Sequence, residues 1–173
     1  MASEDWRTRA ASYDREQFAA TFAHPFLLAL TGLSLPPPPS PTLRLFEDTG
    51  MIDTLRSERR RRMTPADRAP AVFPIRKTQP TFPSMITVGR ARNNDILLFD
   101  QVISKFHAYF SLVDGRWHLA DAGSANGTRL NGQTLPPKGA PVPLRSGDEI
   151  GFGHHTFRYL DPEGLWMALH ESR

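Results

Sequence analysis

From residue 85 onward, apolar and polar residues alternate with a period of two, as they do in half-buried β-strands. The apolar members are Ile86 and Val88, Ile96 and Leu98, Phe110 and Leu112, and Trp117 and Leu119, with further runs over 149–152 and 156–160. Asp114-Gly115 and Asn131-Gly132 stand between such runs, and these dipeptides are typical of tight hairpins with positive φ. Because many short strands follow one another with no helical pattern among them, we predict an all-β, antiparallel β-sandwich over residues 84–161.

Residues 1–35 carry a different pattern, which predicts a short helical segment. Asp14 and Gln17 have the spacing of a capping box, in which each side chain binds the main-chain amide of the other residue. Phe18, Phe22 and Phe26 then recur at every fourth position, as one apolar face of a helix requires. This face either packs within the chain or docks a partner protein, and the sequence leaves both alternatives open.

The apolar stretch that follows is interrupted by Pro25. Proline lacks an amide hydrogen and its ring clashes with the preceding turn, so we expect the first helix to end near His24. A second helical turn is expected to run through Leu30 and to stop at Gly32. The stretch is too short and too interrupted to span a bilayer, and we expect no membrane partner.

Residues 36–83 are rich in proline, arginine and threonine, which predicts a largely flexible linker. Prolines fill residues 36–41 except for one serine, and this composition favours an extended polyproline spacer. The most basic feature is the run of Arg59, Arg60, Arg61 and Arg62. Such a run is commonly a solvated tract, and the alternative is that it binds nucleic acid or an anionic surface. Residues 162–173 are interpreted as a tail that can form a short helix.

Charge changes this picture little, because most of the excess of basic residues lies outside the predicted sandwich. The net charge of the 173 residues is +3. Residues 84–161 contain eight Lys and Arg against seven Asp and Glu, a net charge of +1, whereas residues 1–83 carry +3 and residues 162–173 carry −1. The net charge of the whole chain is therefore a poor guide to the ligand of the domain.

Composition and motifs argue against several kinds of chemistry. Since the chain has no cysteine, it forms no disulfide and offers no thiolate to a metal or a substrate. It also lacks the sequence motifs of phosphate-binding loops, zinc proteases and serine hydrolases. His154 and His155 are adjacent, and on a strand they would face opposite ways rather than share a metal. A turn at Gly153-His154-His155 is the simpler interpretation. We therefore expect no catalytic residue, no cofactor and no metal. An acidic start at Glu4 and Asp5, where a secretory signal needs basic residues, favours the cytoplasm.

Short motifs occupy the loops between the predicted strands of residues 85–160. In chain order they are Gly89-Arg90, Asn94-Asp95, Ser104-Lys105-Phe106-His107 and Asn126-Gly127. In their order and spacing they resemble the forkhead-associated (FHA) domain, a phosphothreonine-binding β-sandwich. The chemistry agrees with the resemblance, because Arg90 offers a planar fork of donors and Ser104 offers a hydroxyl donor to the oxygens of a phosphate.

The resemblance implies a role for each residue at this edge of the sandwich. It assigns Arg90 and Ser104 to the phosphate, lets Lys105 assist them, and assigns Asn126 to the main chain of the bound peptide. Arg92 is an additional candidate if its side chain points to the same edge.

Other residues of these motifs are expected to shape the loops. They are Gly89, His107 and Gly127, and the resemblance implies that His107 forms hydrogen bonds within the loops rather than transferring protons. One position departs from the family pattern. Where the family often has threonine before the Asn-Gly pair, this chain has Ala125, so that one contact to the phosphorylated residue is expected to be lost.

Together these features predict a non-catalytic, phosphothreonine-binding signalling adaptor that acts downstream of a Ser/Thr protein kinase. The N-terminal segment is the predicted second docking site. The expected partners are a threonine-phosphorylated protein and a Ser/Thr protein kinase. Thr64, which follows basic residues and precedes Pro65, is a candidate phosphorylation site through which the domain would bind its own tail. The alternatives for this role are Thr42, Thr49, Thr78 and Thr81. The alternative function is nucleic-acid binding through the arginine run.

Overall fold

The computed structural model describes residues 5–30 and 71–171, which form two β-sheets and three short helices. The helices are α1 (Trp6–Ala11), α2 (Arg15–Thr21) and α3 (Pro162–Glu171). The strands are β1 (Phe26–Ala29), β2 (Val72–Pro74), β3 (Ile86–Gly89), β4 (Ile96–Leu97), β5 (Ala108–Val113), β6 (Arg116–Asp121), β7 (Thr128–Leu130), β8 (Gln133–Thr134), β9 (Val142–Pro143), β10 (Glu149–Phe152) and β11 (His155–Leu160). Among these helices, none has both the length and the hydropathy that a bilayer-spanning segment requires.

The strands form the β-sandwich that the alternating pattern predicted. One sheet has six strands in the order β2-β1-β11-β10-β7-β8, and the other has five in the order β4-β3-β5-β6-β9. The recorded strand pairs are antiparallel except for β3 and β4, which run parallel with Val88 opposite Ile96. The predicted fold class is therefore confirmed, with one parallel pair at the edge of the second sheet.

The core between the sheets is built from alternate strand residues. Phe110 of the second sheet, and Phe152 and Phe157 of the first, are fully buried in one apolar cluster. Leu112 departs from the predicted alternation, because its side chain is 56% exposed. The next residue, Val113, is exposed as well, so the end of β5 extends past the core.

Two hairpins lie where the dipeptides predicted them. The φ angles are 49° at Asp114 and 72° at Gly115, between β5 and β6. They are 50° at Asn131 and 81° at Gly132, between β7 and β8. Positive φ at both central residues is the requirement of a two-residue hairpin turn whose twist matches that of the strands. Both turn predictions are confirmed.

The predicted capping box is present at the start of α2. The Gln17 amide donates to Oδ1 of Asp14 at 2.8 Å, and the Asp14 amide donates to Oε1 of Gln17 at 3.4 Å. The helix ends at Thr21, three residues before the predicted end at His24.

The second helical turn that was predicted through Leu30 is wrong, because Phe26–Ala29 form strand β1. All four residues are buried, and β1 pairs with β11 in an antiparallel register. Leu27 lies in the core of the sandwich, whereas Phe26 and Leu28 belong to a second apolar cluster on the other face of the sheet. A short run that is apolar throughout fits a strand covered on both faces, and this explains why its helical spacing misled the prediction.

The second apolar cluster joins the two ends of the described chain. Trp6 of α1 and Phe18 of α2 pack with Leu165 of α3. The indole N–H of Trp166, also in α3, donates to the main-chain oxygen of Tyr13 at 3.0 Å. The aromatic face of the N-terminal segment therefore packs within the chain, which is the first of the two alternatives for it, and α3 covers the surface that a docked partner would need.

The sheets extend beyond the predicted limits of the sandwich. β1 and β2 belong to the six-stranded sheet, and Ile75 is fully buried in the core. Nζ of Lys77 lies 2.8 Å from the carboxylate of Asp95. Residues 71–83, part of the segment predicted as a largely flexible linker, therefore pack against the sandwich through β2, Ile75 and Lys77.

The remaining predictions concern a C-terminal helix and three features between residues 36 and 64. The short helix expected in residues 162–173 is present as α3. The prolines of residues 36–41, the run from Arg59 to Arg62, and Thr64 lie outside the described residues.

Candidate functional site

Three loops of the sandwich meet at Ser104. The amide of Arg90, directly after β3, donates to the main-chain oxygen of Ser104 at 3.0 Å. The amide of Ala125, in the loop between β6 and β7, donates to the hydroxyl oxygen of Ser104 at 3.0 Å. Ser104 itself lies between β4 and β5, so it links the loop that carries Arg90 to the loop that carries Ala125.

Gly89 allows the loop between β3 and β4 to approach the loop between β4 and β5 closely. A Cβ atom at Gly89 would lie 2.8 Å from Nδ2 of Asn94, and nearer still to the main-chain oxygen of Lys105. Nδ2 of Asn94 donates to the main-chain oxygens of Ala91 at 2.8 Å and of Lys105 at 2.6 Å. A side chain at Gly89 would disturb these bonds, which explains the glycine that precedes Arg90.

His107 is fully buried and braces the loops. Its Nδ1 accepts a hydrogen bond from the Ser104 amide at 3.1 Å, so the proton of the neutral ring lies on Nε2, which donates to the main-chain oxygen of Gly127 at 3.2 Å. Burial lowers the pKa of His107, and the smaller effects of the Gly127 hydrogen bond and the Asp121 charge oppose it. With both ring nitrogens engaged in main-chain contacts, His107 is not free to transfer protons to a ligand.

Asp121, at the end of β6, has no role in the sequence-based prediction. Its side chain organises the loop between β6 and β7. Its carboxylate accepts hydrogen bonds from the amides of Gly123 at 2.7 Å and Ser124 at 2.9 Å, and from the hydroxyls of Ser124 and Thr128, each at 2.6 Å. Burial alone would raise the pKa of Asp121, but these bonds outweigh burial and lower it. The signal in the sequence is an aspartate followed by Gly-Ser at the second and third positions, because aspartate commonly accepts from nearby amides in turns.

The candidate binding residues surround this junction on its exposed side. Arg90, Arg92, Lys105 and Asn126 are exposed, and Ser104 is half-buried. Within residues 5–30 and 71–171, none of the three cations forms an ion pair. In the same ranges no hydrogen bond ties Arg92 to the other candidates. The main-chain contacts therefore bring Arg90, Ser104 and Lys105 to one edge, whereas Arg92 shares only the loop of Arg90.

Ser104 and Asn126 each keep a polar group available to a ligand. The Ser104 hydroxyl oxygen accepts from Ala125, which leaves the hydroxyl hydrogen able to donate. Nδ2 of Asn126 donates to the main-chain oxygen of Val102 at 2.7 Å, and its carbonyl oxygen accepts no hydrogen bond from the described part of the chain. The junction thus offers a hydroxyl donor and an amide acceptor beside two cations.

Comparison with known proteins identifies the fold. Residues 86–153 match the family model described as FHA domain. These residues form an FHA domain. The match includes all eight of the residues that the motifs singled out for binding or loop structure, from Gly89 to Gly127.

The FHA domain has relatives among bacterial regulatory proteins. The chain is 41% identical over 78 residues to the oxoglutarate dehydrogenase inhibitor of Corynebacterium diphtheriae, covering 45% of this chain and 50% of that protein. It is 37% identical over 74 residues to the glycogen accumulation regulator GarA of Mycolicibacterium smegmatis, covering 43% of this chain and 44% of GarA. The chain thus spans about half the length of the relatives it matches.

A solved FHA structure supports the fold assignment. An engineered FHA domain with a Myc-pTBD peptide is 18% identical to this chain, with a TM-score of 0.50, over 84% of this chain and 97% of that chain. At this identity the likeness concerns the fold alone.

A cavity lies beside Asn126 in this FHA domain. Val102, Asn126, Arg129, Gly153 and His154 line it, and it is open to solvent. Two of these lining residues are hydrogen-bonded, since Arg129 donates from Nη2 to the main-chain oxygen of Gly153 at 2.7 Å. The sequence-based prediction did not include Arg129, because its place on β7 looks like that of any polar strand residue.

Proposed function

We propose that this FHA domain binds threonine-phosphorylated peptides and catalyses no reaction on them. Arg90 and Ser104 bind the phosphate, Lys105 adds positive charge, and the Asn126 side chain binds the main chain of the peptide. Arg92 is a further contact, which would compensate in part for the threonine that Ala125 replaces.

The junction at Ser104 is the observation that carries this proposal. A phosphate dianion needs several donors that converge from one side, and charge-assisted hydrogen bonds are about twice as strong as neutral ones. The Arg90 guanidinium, the Ser104 hydroxyl and the Lys105 ammonium supply such donors from adjoining loops. The acids of these loops have other partners. Asp95 and Asp121 each accept several hydrogen bonds from their own surroundings, and Asp100 contacts the Val102 amide and the His155 ring.

A preference for phosphothreonine over phosphoserine follows from the family. In FHA domains the methyl group of threonine fills a small apolar depression, and burial of one such group is worth about 1 kcal/mol. We therefore expect a phosphoserine peptide of the same sequence to bind roughly fivefold more weakly.

At the level of the whole protein, we infer a cytoplasmic adaptor or regulator that acts downstream of a Ser/Thr protein kinase. The relatives named as an inhibitor and as a regulator support a regulatory role over a catalytic one. Because Phe18 and Phe26 are buried within the chain, we assign partner binding to the FHA loops and not to an apolar face of the N-terminal segment.

The decisive experiment compares wild type with Arg90→Ala by calorimetric titration against a phosphothreonine peptide library. Loss of a charge-assisted contact to phosphate typically costs about 2–5 kcal/mol, so binding should weaken by roughly thirtyfold or more. The matched control is Arg116→Ala, which removes an exposed arginine on β6 and should bind as wild type does. Equal affinities of Arg90→Ala and wild type would refute the assignment of the pocket.

Thr64 is the proposed source of an intramolecular ligand, since it lies in the same chain between basic residues and Pro65. Once phosphorylated, it would compete with an external peptide for Arg90. Mass spectrometry of protein from its native cell tests whether Thr64 is modified. A chain carrying phosphate at Thr64 should bind external peptide more weakly than the unmodified chain, and equal binding by both forms would exclude this role.

The alternative function is nucleic-acid binding through the run from Arg59 to Arg62. Its affinity would fall steeply with salt and would survive the Arg90→Ala substitution. A salt series on that variant with duplex DNA and RNA separates the two functions.

A further inference from the structure

Asp100, His154 and His155 form a cluster of metal-ligating groups that includes none of the residues assigned to phosphothreonine. Nε2 of His155 lies 2.9 Å from Oδ2 of Asp100, and Nε2 of His154 lies 3.9 Å from the same oxygen. The three ligand atoms all lie within 4.8 Å of one another. Asp100 lies between β4 and β5, whereas the two histidines lie at the turn from β10 to β11, so the fold brings this set together.

The two adjacent histidines lie at a turn and do not face opposite ways. They would do so within a strand, where successive side chains alternate between faces. Here Gly153 has a φ of 57° and forms a turn with His154, and β11 begins only at His155. Because the turn breaks the alternation, the two rings lie close, with centroids 4.2 Å apart.

Two imidazoles and one carboxylate are the ligand set of zinc-type ions. Zn²⁺ binds histidine nitrogen and carboxylate oxygen at about 2.0–2.2 Å, so two ligand atoms of a tetrahedral ion lie roughly 3.3 Å apart. The separations of 2.9 and 3.9 Å fall on either side of that value. An ion would therefore draw the exposed His154 ring towards Asp100 and replace the closer contact between His155 and Asp100. Mg²⁺ and Ca²⁺ prefer oxygen ligands, so this set disfavours them.

The three ligands differ in burial, so that two are held by the fold and one faces solvent. The side chain of His155 is 5% exposed, that of Asp100 is 27% exposed and that of His154 is 64% exposed. Asp100 is also held in place, because its Oδ1 accepts from the Val102 amide at 3.0 Å. Two ligands are thus fixed within the fold, and the third closes the site from the solvent side.

We propose that Asp100, His154 and His155 bind one divalent ion of the zinc class, with water as the fourth ligand. The site is separate from the residues assigned to phosphothreonine, and it stands whether or not the domain binds phosphopeptides. The Val102 main-chain oxygen accepts from Asn126, so the loop that the ion would hold is the loop that supports Asn126.

The test titrates the full chain, free of tags and chelators, with ZnCl₂ by calorimetry and with CoCl₂ by visible absorption. One equivalent should bind, and bound Co²⁺ should give the strong visible bands of a four-coordinate ion. His154→Ala should weaken binding by about tenfold or more, since it removes one of three protein ligands. This variant is preferred to one at buried His155, because an exposed ring contributes little to folding.

The matched control is His118→Ala, which removes a half-buried histidine of β6 in the other sheet and should bind Zn²⁺ as wild type does. At one Zn²⁺ concentration the melting temperature of wild type should also rise more than that of His154→Ala, and Mg²⁺ should raise neither. Equal affinity of wild type and His154→Ala for Zn²⁺ would overturn the site and leave Asp100–His155 as a hydrogen bond only. None of these measurements uses a phosphopeptide. A negative result would therefore refute the metal site without testing the proposed binding of phosphothreonine.

Discussion

Arg90 and Ser104 are joined by a main-chain hydrogen bond of 3.0 Å, from the amide of Arg90 to the carbonyl oxygen of Ser104. The bond holds the two residues side by side whatever rotamers their side chains adopt. A guanidinium and a hydroxyl therefore start from the same edge of the sandwich before any ligand arrives. In the proposed function this arrangement reduces the ordering cost of phosphate binding.

The first prediction concerns Ser104→Ala. The substitution removes the hydroxyl that donates to phosphate in the proposed function, and hydrogen bonds to charged groups are worth about 1.5–3 kcal/mol. Phosphothreonine peptide should therefore bind roughly tenfold or more weakly in a calorimetric titration. The stability of the chain should fall by less, since Ser104 is half-buried and only the Ala125 amide loses a partner.

The matched control for this prediction is Ser111→Ala. The Ser111 hydroxyl is buried on β5 and has no hydrogen-bond partner among the residues that the structure describes, so its removal should leave peptide affinity unchanged and stability unchanged or slightly higher. If Ser104→Ala bound the peptide as tightly as Ser111→Ala, the hydroxyl would have no part in phosphate binding.

The parts of the fold that depend on local chemistry were predictable from the sequence. Asp114-Gly115 and Asn131-Gly132 determine their own turns, because positive φ suits glycine, asparagine and aspartate. The capping box of α2 is equally local, since both of its hydrogen bonds join residues three apart.

Non-local pairing explains what the sequence did not reveal. Strand β1 finds its partner β11 about 130 residues later, with Phe26 opposite Leu160. A run of four apolar residues has no period that distinguishes a strand from a helix. Because Phe26 follows Phe18 and Phe22 at a spacing of four residues, the sequence favoured a helix where the structure has a strand. Likewise, nothing local indicates that Asp100 meets two histidines more than fifty residues away.

A second prediction concerns the pH dependence of stability, which His107 should control near neutrality. Burial lowers the pKa of folded His107 below the unfolded value of about 6.5. The folded state therefore binds fewer protons than the unfolded state, and stability falls as pH decreases through about 6.5 toward the folded pKa. Urea unfolding at pH 7.5, 6.5 and 5.5 measures this slope.

In His107→Gln the slope over this range should be reduced, while stability at pH 7.5 should fall because the amide cannot reproduce both ring contacts. His118→Gln should keep the wild-type slope, since it leaves His107 in place. A wild-type slope in His107→Gln would mean that another group governs the transition.

A third prediction concerns Asp95, which ties residues 71–83 to the sandwich. Burial would raise the pKa of Asp95, but Lys77 and the amides of Thr78, Thr87 and Gln79 outweigh burial and lower it to about 2. Its unfolded pKa is 3.8, so the stabilisation is present above about pH 4 and is lost as pH falls toward 2. The shift corresponds to about 2 kcal/mol.

Asp95→Asn should therefore lower the free energy of unfolding by about 2 kcal/mol at pH 7. The difference from wild type should shrink as pH falls below about 4, because Asp95 then takes up a proton in the unfolded state while it stays charged in the folded state. Asp114→Asn is the control, because Asn-Gly suits the same hairpin and should leave stability nearly unchanged. A difference that stayed constant from pH 7 to pH 3 would contradict the charge-based explanation.

The final prediction is a gain of affinity on restoring the family residue at Ala125. Ala125 is exposed and does not have a positive φ, so a β-branched residue fits its backbone. Its amide already contacts the Ser104 hydroxyl oxygen at 3.0 Å, which sets a new hydroxyl close to the proposed phosphate. Ala125→Thr should therefore tighten phosphothreonine binding by about 1 kcal/mol, or roughly fivefold in Kd.

Ala125→Val separates the effect of the threonine hydroxyl from the effect of side-chain shape, because valine has nearly the same volume as threonine but no hydroxyl donor. We expect its affinity to match that of wild type. Tighter binding by both variants would assign the effect to packing and not to a hydrogen bond. In an Arg90→Ala background, Ala125→Thr should recover little affinity, because the added hydroxyl acts on a phosphate that the guanidinium no longer holds.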